Sequence, residues 1–158
     1  MPRMARLLLK NSCYHIITRG NQKQDVFMEE ADYKRYFKVL TKYTKRFKAK
    51  LYSFCLMPNH IHLLLEPEVP EKLTKLMQGL NLSYTLYFNR KYNKVGHLWQ
   101  DRFLSKVITK DAYLLDCISY IEANPMRANM VTHLQDYTWS SYNLRLRRDH
   151  DIITEIEI

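Results

Sequence analysis

The sequence predicts an α+β fold, an antiparallel sheet with helices packed on one face of it. Three observations carry that prediction. Three segments repeat apolar side chains at helical spacing, four short segments are β-prone and bounded by turn signals, and the two kinds alternate as β, α, β, β, α, β, α. That order resembles a ferredoxin-like arrangement, in which the third strand lies inside the sheet.

Cys13 to Thr18 opens the chain's regular structure as a strand and stops at Arg19-Gly20-Asn21, a turn signal. From Glu30 to Lys48, Tyr33, Tyr36, Phe37, Leu40, Tyr43 and Phe47 follow helical spacing, with Lys34, Arg35, Lys38, Lys42 and Lys45 around the rest of the cylinder. The aromatic stripe reads as core and the lysines as a solvated face. Leu51 to Leu56 and His60 to Glu66 read as an antiparallel hairpin joined by Met57-Pro58-Asn59, where proline, lacking an N–H, suits a turn and not a central strand. A second helix is expected from Glu71 to about Tyr92, with Leu73, Leu76, Met77, Leu80, Tyr84, Tyr87 and Phe88 on one stripe. Gly96 interrupts the pattern, and Leu98 to Thr109 reads as a strand entered by a basic, aromatic stretch.

Asp111 suits the N-cap of a third helix that Pro125 stops near Asn124. Leu114, Leu115, Ile118 and Ile121 take one side of it, and Tyr113, Asp116, Tyr120 and Asn124 take the other. The stretch through Trp139-Ser140-Ser141-Tyr142 is expected to pack back on the domain, and residues after about Arg145 read as a charged tail. No repeat or low-complexity linker divides the chain, so residues 1–158 read as one domain.

Twenty-five Lys and Arg against sixteen Asp and Glu give a net charge of +9, which favours a polyanion such as nucleic acid or else reflects a solvated basic surface. Twelve Tyr, six Phe and two Trp tilt the choice towards nucleic acid, since aromatic faces stack on unpaired bases, although most of these rings belong in the core. Cys13, Cys55 and Cys117 sit far apart in apolar contexts and read as buried, reduced thiols; without a C-x-x-C pair a zinc ribbon is not expected. Leu7-Leu8-Leu9 is cut short by Lys10 and Asn11, too brief for a signal-peptide core, and no run approaches the roughly 20 apolar residues of a membrane span. A cytoplasmic, nucleoid-associated protein with no membrane partner is the expectation.

His60-Ile61-His62 places two imidazoles on the same face of a strand, where they either grip one metal ion or serve as ordinary hydrogen-bonded strand histidines. Two imidazoles leave coordination positions open for substrate oxygens. The amide oxygen of Asn124 is a candidate third ligand, and a donor set without a carboxylate leaves the ion its full charge for a phosphate. Tyr120, one helical turn before Asn124, would then stand close to a bound phosphodiester. A tyrosine hydroxyl, with an ordinary pKa of about 10, is a weak nucleophile unless the phosphate is polarised. The plain alternative makes Tyr120 a half-buried helix residue and Asn124 a C-terminal cap.

Four ordered segments decide between these readings: Met57 to Leu64 (MPNHIHLL), Gly96 to Phe103 (GHLWQDRF), Tyr120 to Ala128 (YIEANPMRA) and Tyr137 to Tyr142 (YTWSSY). In this order they resemble the single-tyrosine HUH transposases of the IS200-like superfamily, and among them the REP-associated tyrosine transposases. The resemblance runs from roughly Leu9 to Asn143. It implies a fold of the HUH endonuclease type, with His60 and His62 as metal ligands, Asn124 as the third ligand and Tyr120 as nucleophile. It further implies Mg²⁺ or Mn²⁺, single-stranded or hairpin DNA from a palindromic repeat as substrate, a 5′-phosphotyrosine intermediate, and a monomer or homodimer. Met126 stands where such proteins more often carry Val.

For DNA contact, Arg19 and Asn21 in the first loop and His97, Trp99, Gln100 and Arg102 in the Gly96 stretch combine charge, amide and aromatic groups. Trp99 suits core packing equally well. Arg127 is a phosphate contact or the partner of a surface carboxylate, and His15 is a third polar group near the site or a satisfied strand histidine. Two other functions stay open: a nucleic-acid-binding module of the same fold without catalysis, and a metal-independent phosphoesterase. The latter needs two H-x-[ST] elements, and the sequence has none.

Overall fold

A computed structural model describes residues 12–109 and 112–156; Leu7-Leu8-Leu9 and the expected cap Asp111 lie outside the described residues. The elements are β1 (Cys13–Arg19), α1 (Glu30–Arg46), β2 (Lys50–Met57), β3 (His60–Glu66), α2 (Lys72–Tyr92), β4 (Leu104–Ile108), α3 (Ala112–Glu122), α4 (Asn124–Arg127) and α5 (Tyr142–Leu146). The strands form one sheet in the order β2-β3-β1-β4 with every neighbouring pair antiparallel, which is the ferredoxin-like arrangement expected from the element order. The histidine-bearing β3 is interior, as the sequence suggested.

Alternation of side chains assigns each strand residue to a face. Tyr14, Ile16, Ile61, Leu63 and Leu65 join the core formed with α1 and α2, where Tyr36, Leu40, Leu76, Leu80, Tyr84 and Phe88 are buried. Cys13, Leu64, Tyr52, Cys55 and Met57 meet Leu114, Cys117, Ile118 and Ile121 of α3 on the other face. The expectation of helices on one face is therefore corrected to helices on both. The reason is visible in β2 and β3, which are buried at nearly every position, as strands covered on two faces must be. On α3, Leu115 is 41% exposed and Cys117 takes its expected place, because the strip facing the sheet is narrower than the apolar run.

The aromatic stripe of α1 and the apolar stripe of α2 pack as the spacing indicated. Gly79 permits their close approach, since a Cβ there would lie 2.4 Å from the Tyr43 ring. At the start of α1 the buried Asp32 accepts hydrogen bonds from the Met28 and Glu29 N–H groups and from Lys91 and Tyr87 on α2. This ties the beginning of one helix to the end of the other.

Two boundaries differ from expectation. The fourth strand is Leu104–Ile108, while Leu98 to Phe103 is a loop clamped to the end of β1 by Asn21 N–H to Leu98 O at 2.8 Å and Gln100 N–H to Arg19 O at 2.9 Å. The stretch after Arg145 is not a free charged tail: Ile153 is 1% exposed in the α1–α2 core and the Thr154 N–H donates to Leu51 O at 2.7 Å. The apolar pair Ile152-Ile153, hidden among charges, supplies the anchor. Trp139 does pack back, stacking on Tyr33 with ring centroids 4.9 Å apart. The three cysteines are buried and in no disulfide, and among the described residues no helix is long and apolar enough to cross a membrane.

Candidate active site

β3 pairs with β1 so that His60 lies opposite Arg19 and His62 opposite Ile17, which turns the histidine pair towards the α3 face. The ring centroids of His60 and His62 are 5.0 Å apart. Asn59 Oδ1 lies 2.7 Å from His60 Nδ1; an amide oxygen only accepts, so Nδ1 carries the proton and Nε2 keeps its lone pair. His62 Nδ1 is 2.9 Å from His15 Nε2, and the same logic frees His62 Nε2 when His15 accepts. Burial, then the neighbouring imidazoles of His15 and His60 and the guanidiniums of Arg127 and Arg19, lowers the pKa of His62 to about 3. Burial and Lys106 lower that of His15 to about 4, and burial followed by Arg19 lowers that of His60. All three rings are thus held neutral, the state a metal-binding imidazole needs.

Tyr120 projects from the last turns of α3 and is 52% exposed. Its ring stands edge-on to His62 and His15, with centroids 6.3 and 6.1 Å away. α3 ends at Glu122, and α4 restarts at Asn124 with the buried Pro125 in its first turn. The break swings Arg127 back: its guanidinium carbon sits 4.0 Å from the centre of the Tyr120 ring, and Nη2 donates to Tyr120 O at 2.7 Å. Asn124 lies on the same side of the break, and its Nδ2 donates to Ile121 O at 3.2 Å, which occupies the nitrogen and not the amide oxygen.

The donors present fit a divalent cation in part. Two neutral imidazoles with Nε2 lone pairs share one face, yet among the described residues no group of three or more His, Cys, Asp or Glu side chains is placed to hold a metal. Any further ligands must come from an amide such as that of Asn124 or from substrate oxygens.

A cleft of about 550 Å³ opens between α3 and β4 beside these residues, lined among others by His15, Lys106, Asp116 and Tyr120. A smaller one of about 160 Å³ adjoins it, sharing Ile17 and Leu104, and is lined by Arg19, Gln100 and Arg102. Three of the expected DNA-contact residues are therefore brought to the edge of the site. The other loop residues face elsewhere. Trp99 donates its indole N–H to Asn81 O at 3.2 Å and packs against the α1–α2 core, while His97 lines a cleft of about 730 Å³ along α2 that shares Gln100 and Arg102 with the smaller one. Asn21 is half-buried in the turn after β1.

Of the two roles open to His15, the structure shows the third polar group beside the site, and it adds Lys106 and Glu122, which the sequence does not single out. Lys106 pairs in register with His15, a neighbourhood that only strand order discloses. Glu122, two residues beyond Tyr120, is 4% exposed; it accepts from Ser141 Oγ at 2.8 Å and pairs with Arg145 Nε at 3.1 Å. Arg145 also donates to Tyr52 O, so α3, β2 and α5 are tied together behind the tyrosine. The sequence signal for Glu122 is its place on the buried stripe next to Ile118 and Ile121.

With this geometry in view, comparison with known proteins is informative. The model of the family described as IS200-like transposases matches residues 9–124. The chain belongs to the IS200-like transposase family. A protein of Haemophilus influenzae (strain KW20/Rd) named as a REP-associated tyrosine transposase is 30% identical over 102 residues, covering 58% of this chain and 57% of that protein. The chain thus matches somewhat more than half the length of that relative. Among solved structures, a REP-associated tyrosine transposase bound to a REP hairpin superposes with a TM-score of 0.77 at 14% identity, over 100% of both chains. A transposase structure from Deinococcus radiodurans gives a TM-score of 0.50 at 20% identity, over 78% of this chain and 97% of that one. At such identities the two structures bear on the fold.

Proposed function

We propose that this chain is a metal-dependent endonuclease and strand transferase for single-stranded or hairpin DNA, with Tyr120 as nucleophile. The observation that carries the reading is the approach of the Tyr120 ring on α3 to His62 on β3, with His60 beside His62, next to a cleft that Tyr120 and His15 line. In the first step Tyr120 Oη attacks phosphorus, the bond to the 3′-oxygen breaks, and the 3′-hydroxyl leaves with a proton while the 5′-phosphate stays on the tyrosine. In the second step a 3′-hydroxyl attacks the phosphotyrosine and the phenol is released, so no external energy source is consumed. Mg²⁺ or Mn²⁺ held by His60, His62 and the amide oxygen of Asn124 would supply Lewis-acid polarisation of the phosphate.

The rest is the work of the chain's own residues. His15 and Asn59 orient the two imidazoles, Arg127 holds the Tyr120 ring, and Arg19, Gln100 and Arg102 line the approach for the DNA backbone. Asn21, His97 and Trp99 sit on the flank of the same loop system and would meet DNA beyond the cut site. The relative solved with a REP hairpin makes a palindromic repeat the first substrate to try. The approach of Tyr120 to His62 within one chain favours a monomer acting in cis, with a homodimer as the alternative, and a DNA-acting enzyme of this kind would work at the nucleoid.

The competing function is a DNA-binding module without catalysis. His60→Ala and His62→Ala separate the two: each should abolish Mg²⁺-dependent cleavage of a hairpin oligonucleotide with an unpaired flank while retaining its binding. Cleavage at the unaltered rate in both variants would exclude the metal role, and no cleavage by the unaltered chain would favour the binding module.

A further inference from the structure

Resting on that reading, we infer that Ile17 and Leu104 form the floor of a seat for one unpaired nucleobase beside the scissile phosphate, and that Asp116 selects a base carrying an amino group. Leu104 and Ile17 are register partners on β4 and β1, and both line both clefts, so they mark the junction between the Tyr120 cleft and the Arg19–Arg102 cleft. Leu104 is 55% exposed at the beginning of an edge strand. A single exposed leucine is ordinary on any surface. This one differs in its setting, with Arg19 and Arg102, alongside Asp101, at one end of the junction and Lys106 at the other.

Lys106 is two residues along β4 from Leu104, which puts the two on the same face about 7 Å apart. An apolar floor between cations suits a nucleotide, whose flat base seeks an apolar face while its phosphates seek positive charge. It suits a peptide less well, because an apolar side chain would use the floor and make no use of the charges beside it. Within this basic setting Asp116 is an acceptor-only group on the α3 wall of the cleft. A carboxylate repels phosphate, and it accepts from the exocyclic amino groups of cytosine, adenine or guanine, which thymine lacks. Nothing in the nicking chemistry requires Leu104 or Asp116, so the seat concerns which sequence is cut and not how.

The test uses the full chain with Mn²⁺ and a hairpin oligonucleotide library whose unpaired flank is randomised, with covalently captured and released products sequenced. Thymine should be depleted at one of the two nucleotides flanking the cut. Asp116→Ala should remove that depletion. An abasic residue at the same position should slow cleavage by the intact chain about 5-fold, the lower end of the range for one base stacked on an aromatic ring because this floor is aliphatic, and Leu104→Ser should bring the abasic and intact substrates to about the same rate. Leu104 and Asp116 are exposed, and unchanged thermal melting of both variants would show that the fold is kept. Identical base preferences and abasic penalties in the unaltered chain and both variants would overturn the seat. The same library bound by Tyr120→Phe, which lacks the nucleophile, reads the seat apart from the chemistry: selection against thymine in the bound pool supports the seat even if no cut occurs, and an unselected pool overturns it.

Discussion

Replacing His15 by alanine probes the least obvious member of the site. His15 Nε2 lies 2.9 Å from His62 Nδ1, and among the described residues it is this contact that fixes which nitrogen of the His62 ring carries the proton. His62 is 5% exposed, so water replaces the lost partner poorly. Removal of a group that orients a metal-bound imidazole costs about 10- to 100-fold in metal affinity, which is about 1.4 to 2.7 kcal/mol. That range is close to the roughly 1–3 kcal/mol cost of leaving a buried donor unsatisfied. We expect His15→Ala to weaken Mn²⁺ binding, followed by the electron paramagnetic resonance of the free ion, by at least about tenfold. His15→Gln, which keeps an acceptor on the strand, should recover part of the loss. In the metal-free protein, the imidazole nitrogen shifts of His62 should change from one defined tautomer to a mixture. Mn²⁺ affinity equal to that of the unaltered protein, with an unchanged His62 tautomer, would refute the reasoning.

Two further outcomes follow from the surroundings of Tyr120. Arg127→Ala should lower single-turnover cleavage about tenfold, since it removes a cation over the ring and a charge-assisted hydrogen bond to the Tyr120 carbonyl. Hairpin binding and its salt slope should hardly move; a slope smaller by about one unit would instead make Arg127 a phosphate contact. Arg145→Met strips the 4%-exposed Glu122 of its ion-pair partner and should cost about 3 kcal/mol. The cost should appear as a fall in Tm of about 6–12 °C, with partial recovery in the double variant Glu122→Gln, Arg145→Met. A loss below about 1 kcal/mol would show that the buried carboxylate finds another partner.

How far the molecule can be read from its sequence depends on the range of the forces involved. α1 and α2 were legible because their stripes repeat over many turns, and β3 because His60-Ile61-His62 lies in an unbroken apolar run. The same run concealed the second helical layer, since an all-buried strand reports that it is covered without naming the cover. Leu98 to Phe103 resembles a strand locally and becomes a loop because its backbone is bonded to Arg19 and Asn21, far away in sequence. Tyr120 and His62 were each visible as residue types; the approach of their rings depends on where α3 docks. His15 and Lys106 became neighbours through strand order, which has no local signature; Pro125 marks the break after α3 in the sequence, but not that the break returns Arg127 to the Tyr120 ring.

The most direct test of the account is covalent capture at Tyr120. The full chain with Mn²⁺ and an end-labelled hairpin oligonucleotide should give a protein–DNA band that survives denaturing electrophoresis, with the 5′-phosphate mapped to Tyr120 by mass spectrometry. Tyr120→Phe should give no such band and no free 3′-hydroxyl product while binding the hairpin with nearly the affinity of the unaltered chain. A covalent band of undiminished intensity from Tyr120→Phe, or a phosphate mapped to another residue, would contradict the central claim.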